Sequence, residues 1–473
     1  MYHKICIKSI GFFEIPYASA KLWLTNCEKS DIMQIDYEKI VTKEDEGMSK
    51  NKQPPRFDFK KKPHQPGFLM GVAKHIISLP DLRHRPYKLE RRGMEELDGK
   101  PYLCLINHAS MVDLNVMLHA TNGAPVNNVM TLEGFRDFTE PLMRHLGVLG
   151  KRKYVQDFQL IKNMKYCVDK LQTVFVLFPE ARYTLDGCTS YLTPSLGSLV
   201  KFLRVPVVVI RIHGNHVSCP HWNWINKKGP IEAEMYPIVS AEETKSLSAD
   251  EIYARIVDNF QYDDYAWQKE NNIVLDHPQR AHGLHSLLYK CAKCGTEGKM
   301  HSEGTFLWCE ECGKKWEMTE LGELKASEGE TEFSHIPDWS KWERACVREE
   351  IRNGTYFFED EVIVETLPNA RKFYHQGKGK LTQTPEGTFL DCESVYGEPL
   401  HVEWKALNLD SMHVEFDYKK SRTAKGDCVD LSVPDDSYWC YTQKRDVIVK
   451  LAFATEEINF YAKEQAEAQK AAK

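Results

Sequence analysis

Residues Tyr102–Ala120, YLCLINHASMVDLNVMLHA, decide how the rest of the chain is read. Tyr102 to Ile106 is an apolar run with the length of a buried strand, and it stops at Asn107-His108. A helical pattern opens at about Ser110. His108 and Asp113, four residues between them, therefore stand at a strand-to-helix junction. A histidine at a strand end is held rigidly, and an aspartate in the next helical turn can fold back to accept its imidazole N–H. That bond fixes the tautomer and leaves the other nitrogen as a general base. Ser110 and Asp113 also fit the S-x-x-D capping pattern, which would merely tie up helix-start amides. The spacing alone leaves both roles open.

Working downstream, Asn127–Thr131 reads as a second strand. Gly147 to Lys153 is a glycine-bounded turn presenting Lys151, Arg152 and Lys153. Such a turn suits an anionic head group, since arginine offers a fork of donors matched to phosphate, or it is a solvated basic loop. Apolar spacing from Asp157 to Leu171 predicts a helix. Thr173–Phe178 is a run typical of a buried parallel strand, and it ends in Pro179-Glu180-Ala181-Arg182-Tyr183. Charges at the carboxyl end of such a strand mark a ligand site in an open α/β sheet. Pro194–Leu203 predicts a helix and Val205–Ile210 another buried strand. Strands alternating with helices over residues 100–240 indicate an α/β fold.

Asn107-His108-Ala109-Ser110-Met111-Val112-Asp113 matches the first motif of the glycerolipid acyltransferases, the 1-acylglycerol-3-phosphate acyltransferase family. Gly147 to Arg152, Phe178-Pro179-Glu180 and Val205-Pro206-Val207-Val208 resemble the second, third and fourth motifs, in the family's order. The resemblance covers residues 65–240. Ala181 stands where the family has glycine, Arg182 comes one place early, and Gly150-Lys151 replaces an apolar pair. The resemblance implies an O-acyltransferase moving a fatty acyl group from acyl-CoA or acyl carrier protein to a lysophospholipid hydroxyl, 1-acylglycerol-3-phosphate giving phosphatidic acid. His108 would be the base and Asp113 its orienting partner, with Asp113→Asn costing less than loss of the histidine because an amide can still cap and accept. Lys151, Arg152, Glu180 and Arg182 would bind the acceptor and its phosphate. A phosphate-free or glycolipid alcohol is the alternative acceptor, and a non-catalytic zinc-ribbon adaptor the alternative function. Cys188 reads as structural.

The second strong signal lies outside the resemblance. Cys291-x2-Cys294 and Cys309-x2-Cys312, fourteen residues apart, have the spacing of a four-cysteine zinc ribbon. Gly313 suits a tight knuckle, and the acidic flanks speak against nucleic acid. His213, His216, Cys219 and His221 fit no standard metal spacing, and no metal is expected there. After a helix capped by Asp338 and ending at Asn353-Gly354, seven strand-like runs follow: 356–358, 362–364, 387–390, 400–404, 413–418, 429–433 and 438–441. A helix over about 447–466 closes the chain, an element order like that of a pleckstrin-homology or GRAM β-barrel.

The expected organisation is therefore a variable, disordered segment 1–64, an acyltransferase domain 65–240, a helical connector 241–288, a ribbon 289–318 and a β-rich domain 338–473, each module separable. A length of 473 residues fits several cores. Fourteen cysteines, scattered save one cluster, with no convincing secretory signal or long apolar span, fit a reducing cytoplasm. Lys43–Glu46 reads as a solvated linker, and Met48 is an alternative start. Met48–Arg92 holds twelve Lys or Arg against three Asp or Glu. The Lys60–Lys62 run beside apolar Phe68–Leu79 suits a peripheral membrane anchor, or that helix packs on the core.

Overall fold

The computed structural model divides at Lys52/Gln53 and describes residues 55–66, 72, 74–135, 139–393, 398–419 and 424–471. The expectations for residues 1–54 and for 67–71 and 73 lie outside the described residues. Residues 55–64 were expected to be disordered, but Phe57 within them is buried and donates its backbone N–H to Pro368 O at 3.2 Å, while most of its neighbours are exposed.

A seven-stranded sheet carries the first half. Its strands are β1 (Tyr87–Arg91), β2 (Leu103–Ile106), β3 (Val126–Thr131), β4 (Val148–Lys151), β5 (Val174–Leu177), β6 (Val207–His213) and β7 (Ile231–Val239). They lie in the order β1-β7-β6-β2-β5-β3-β4. β2 pairs in parallel with both β5 and β6, while β7 runs antiparallel to β6. Alternation divides the central strands between two cores. Cys104, Ile106, Val208 and Ile210 pack on helix α1 (Val112–Ala120). Leu103, Phe175, Val207 and Val209 pack on α2 (Phe158–Tyr166), α3 (Ser195–Leu203) and α4 (Ala249–Asn259). A strand covered on both faces must be apolar throughout, which is why β2, β5 and β6 were legible as continuous runs. Asp157 caps α2 by accepting from Leu160 N, and Ser248 with Glu251 forms a capping box on α4.

Helix α5 (Asp264–Glu270) leads into a four-stranded antiparallel ribbon of β8 (Met300–Glu303), β9 (Phe306–Cys309), β10 (Lys315–Met318) and β11 (Leu324–Ala326). Then comes α6 (Ile336–Arg352), whose cap position is His335. Asp338 lies inside its first turn and pairs with Lys341, so it is not the cap. The C-terminal region is a seven-stranded antiparallel sheet followed by α7 (Ile448–Ala471). Its strands are β12 (Phe358–Thr366), β13 (Tyr374–Thr384), β14 (Gly387–Glu393), β15 (Pro399–Lys405), β16 (His413–Tyr418), β17 (Gly426–Ser432) and β18 (Ser437–Thr442). The expected number of strands is right for a partly wrong reason. Two of the expected runs fuse into β12, and β13, polar and glycine-containing, carries no apolar signal.

The modules are not separate. One hydrophobic cluster runs from Leu185, Val217 and Trp222 through Met300 and Trp316 of the ribbon to Phe416 and Leu451 at the far end. A smaller one joins Phe57 and Phe135 to Leu367 and Ala370. Gly150 has no side chain because a Cβ there would meet the Phe57 ring at 2.6 Å. Among the described residues no helix is long and apolar enough to cross a membrane.

Candidate active site

His108 follows β2, and Asp113 is in the first turn of α1. His108 Nδ1 lies 2.9 Å from Asp113 Oδ2. A carboxylate only accepts, so Nδ1 carries the proton and Nε2 is the free nitrogen. Nε2 takes no hydrogen bond from the described residues, and the side chain is 23% exposed while Asp113 is fully enclosed. The two roles left open by the spacing turn out to be one. The same Oδ2 also accepts from Ala109 N at 2.7 Å and Ser110 N at 3.0 Å, so the helix-start amides brace the carboxylate against the imidazole.

A third member was missed in the sequence. Asn215 Nδ2 donates to Asp113 Oδ1 at 2.7 Å across 102 residues. Asn215 is itself pinned, because Asp264 accepts from Gly214 N at 3.2 Å and from His216 N at 2.9 Å. The available signal was the polar cluster after β6, considered only as metal ligands. Within it His216 is buried between Trp222 and Tyr265, its pKa lowered to about 3 by burial. Among the described residues the only group placed to hold a metal is the cysteine cluster.

Glu180 braces the histidine's backbone. Its Oε1 accepts from His108 N at 2.9 Å, Oε2 accepts from Ser190 N at 2.8 Å, and the Tyr262 hydroxyl donates to both oxygens. Burial raises its pKa, and those donors only partly offset this. Of the two roles open to it, ordering the pocket or contacting the acceptor's free hydroxyl, these internal contacts are of the first kind. Ala181, where the resemblance expects glycine, sits in the left-handed region at φ +58°. The turn thus keeps the conformation without the residue that adopts it freely. Phe178 and Tyr183 flank the imidazole, each with its ring centroid 4.3 Å away. Tyr183 donates to Met111 Sδ and meets His221 and Trp224 edge-on. Met111 and Trp224 are exposed. Burial, then Asp186 and Asp263, push the Cys188 thiol well up, which disfavours the thiolate a nucleophile needs.

The cations expected to hold a phosphate are differently engaged. Lys151 Nζ donates to Val155 O at 2.8 Å. Arg152 is buried, with Nη1 donating to Leu367 O and Ser437 Oγ and Nη2 to Pro368 O and Asp435 O, all within 3.1 Å. Lys153 sits between Glu133 at 2.7 Å and Asp430 at 3.3 Å. Burial works against its charge, but these carboxylates outweigh that and hold it protonated. Arg182 is paired with Glu456 of α7 at 2.8 Å and donates to Met412 O. Three of these four reach across to the β-rich region, which the sequence had no means of announcing.

The cysteine knuckles come together as expected. All four Sγ atoms lie within 4.8 Å of one another, Cys291 to Cys312 at 3.7 Å and Cys294 to Cys309 at 3.8 Å. Four sulfurs bound tetrahedrally at ~2.3 Å would stand about 3.8 Å apart, so the donor set fits zinc. Gly295 and Gly313 close the knuckles, donating to Cys291 O and Cys309 O at positive φ.

No family model matches the chain, and no curated protein does. Among solved structures it is similar to the 1-acyl-sn-glycerophosphate (LPA) acyltransferase PlsC from Thermotoga maritima, at 17% identity and a TM-score of 0.30, over 40% of this chain and 79% of that one. A likeness of that size carries no weight for the chemistry, which rests on the residues themselves.

Proposed function

We propose that the chain is an acyltransferase moving a fatty acyl group from a thioester, acyl-CoA or acyl carrier protein, to an alcohol hydroxyl. The observation that supports this is the His108–Asp113–Asn215 array with Nε2 open between two aromatic rings. The acceptor hydroxyl gives its proton to Nε2 as its oxygen attacks the thioester carbonyl. The C–S bond then breaks, and the imidazolium returns the proton to the leaving thiolate. Asp113 stabilises the imidazolium, and no acyl-enzyme is required because the thioester is already activated. Base assistance of this kind contributes ~100- to 10,000-fold.

Exposed Met111 and Trp224, both in contact with Tyr183, give the site an apolar rim suited to a lipid chain, and hence to work at a membrane surface. Zinc on Cys291, Cys294, Cys309 and Cys312 would be structural, since four thiolates leave no open coordination position. His108→Ala tests the reading. Thiol release should fall below about a hundredth of the parent rate with the fold intact, and substantial residual turnover would sink the general-base assignment.

A further inference from the structure

Resting on the acyl-transfer reading, we infer that the acceptor is a neutral lipid alcohol, with no phosphate beside its reacting hydroxyl, because the C-terminal region closes the cations that would have bound one. A phosphate site needs a guanidinium fork free to face the ligand. Here the Arg182 fork is spent on Glu456 and Met412 O, and both partners of the ion pair are almost wholly buried. Glu456 is held in turn by Arg344 at 2.6 Å and by the Ser411 hydroxyl. Arg152 donates to four fixed acceptors, Lys153 is bracketed by two carboxylates, and Lys151 is tied to its own loop.

A phosphate arriving on these residues would have to displace Glu456 or Asp430. It would leave a buried carboxylate short of its cation, and it would bring a dianion close to that carboxylate. Both effects oppose binding. Beyond Tyr183, Glu415 bridges His221 at 3.3 Å and His413 at 3.0 Å, so on that side an approaching anion meets a carboxylate. What faces His108 is aromatic and apolar: Phe178, Tyr183, and beside them Met111 and Trp224. Such walls suit an acyl or alkyl chain and a hydroxyl. The acceptor specificity would thus be set by residues of α7 and the β-rich sheet, hundreds of positions along the chain from the cations they neutralise.

The test uses the full chain with palmitoyl-CoA, following thiol release with a matched pair of acceptors, 1-monoacylglycerol and 1-acylglycerol-3-phosphate. The neutral acceptor should show a kcat/KM at least ~10-fold higher. Glu456→Gln keeps an oxygen for Ser411 but leaves Arg182 with an unneutralised charge. It should narrow the ratio by lowering KM for the phosphate-bearing acceptor alone. Should that variant fail to fold, Asp430→Asn beside Lys153 asks the same question. A parent enzyme that uses the phosphate-bearing acceptor as well or better overturns the inference while leaving acyl transfer standing. A ratio unmoved by a folded variant overturns the role given to these ion pairs. No release with either acceptor, or release that survives His108→Ala, refutes acyl transfer and the inference with it.

Discussion

Replacing Asp113 with asparagine probes the array most directly, because its carboxylate serves two sides at once. Oδ2 takes three donors, His108 Nδ1, Ala109 N and Ser110 N, and Oδ1 takes Asn215 Nδ2. An amide has one oxygen and can face only one of these sides. With the oxygen toward the helix-start amides, its NH2 confronts the NH2 of Asn215, whose own oxygen is committed to His216 N at 3.1 Å. The substitution is therefore harsher than its capping chemistry suggests. Losing the charged partner of the imidazolium removes ~1.5–3 kcal/mol, or ~10- to 150-fold in kcat. The opposed buried donors cost a further ~1–3 kcal/mol in stability. Initial rates of thiol release and urea unfolding read the two effects separately. Adding Asn215→Asp re-creates a donor–acceptor pair, so it should recover part of the stability but not the rate, because the carboxylate no longer touches His108. A rate for Asp113→Asn within about threefold of the parent, or recovery of the rate in the double variant, would refute the reasoning.

Acid should destabilise the fold early. His216 and His413 are held neutral by burial, at about 3 and about 4, against ~6.5 in the unfolded chain. The unfolded state then binds more protons below ~6.5, and stability falls as pH drops through 6.5 to 4, by up to ~1.4 kcal/mol per pH unit for each. Asp430 and Asp446, both pushed up to about 6 by burial, act with the opposite sign below 6 and offset the histidines there, so the loss is concentrated between about pH 7 and 6. Urea midpoints that do not change from pH 7 to pH 5 would contradict this. Elemental analysis should find one zinc per chain and none in Cys309→Ser. Because the ribbon shares one cluster with Leu185, Val217 and Trp222 of the α/β region, chelation should lower a single calorimetric transition; a separate ribbon transition with unchanged turnover is the opposing result. A chain ended near residue 285 loses the partners of Arg152 and Arg182 and most of the shared cluster, so it should not fold. A soluble, cooperative and active fragment would restore the modular organisation.

Much of the site was legible where chemistry is local. His108 and Asp113 are five positions apart, and the cysteine knuckles keep a fixed spacing, so motif and geometry coincide. β2, β5 and β6 were legible because burial on both faces leaves an unbroken apolar run. Edge strand β1 and polar β13 alternate without that signature, and neither was anticipated. Asn215 and Tyr262 reach their carboxylates across 102 and 82 residues; the polar cluster after β6 hinted at the first, and nothing local marks the second. Glu180 and Arg182 stood out in the sequence as opposite charges at the end of a buried strand, the pattern of a ligand site. What a sequence cannot tell is whether such charges await a ligand or already have partners elsewhere in the chain.

That distinction bears on why the C-terminal region is fused at all. A buried ion pair such as Arg182–Glu456 is weak support for stability, since desolvating both charges offsets much of their attraction. Separating the pair is another matter: a buried charge left alone costs ~3–5 kcal/mol. Arg152, Lys153 and Arg182 face this penalty together if the β-rich region lifts away, along with the exposure of Trp222, Phe416 and their neighbours. The arrangement therefore gives little to the depth of the folded state and much to its uniqueness. It holds one register between the strand ends that carry His108 and the sheet that closes over them. The same charges that hold that register are tied up within the chain, so fixing the docked geometry and, under the proposed acyl transfer, disfavouring an anionic acceptor would follow from one set of contacts.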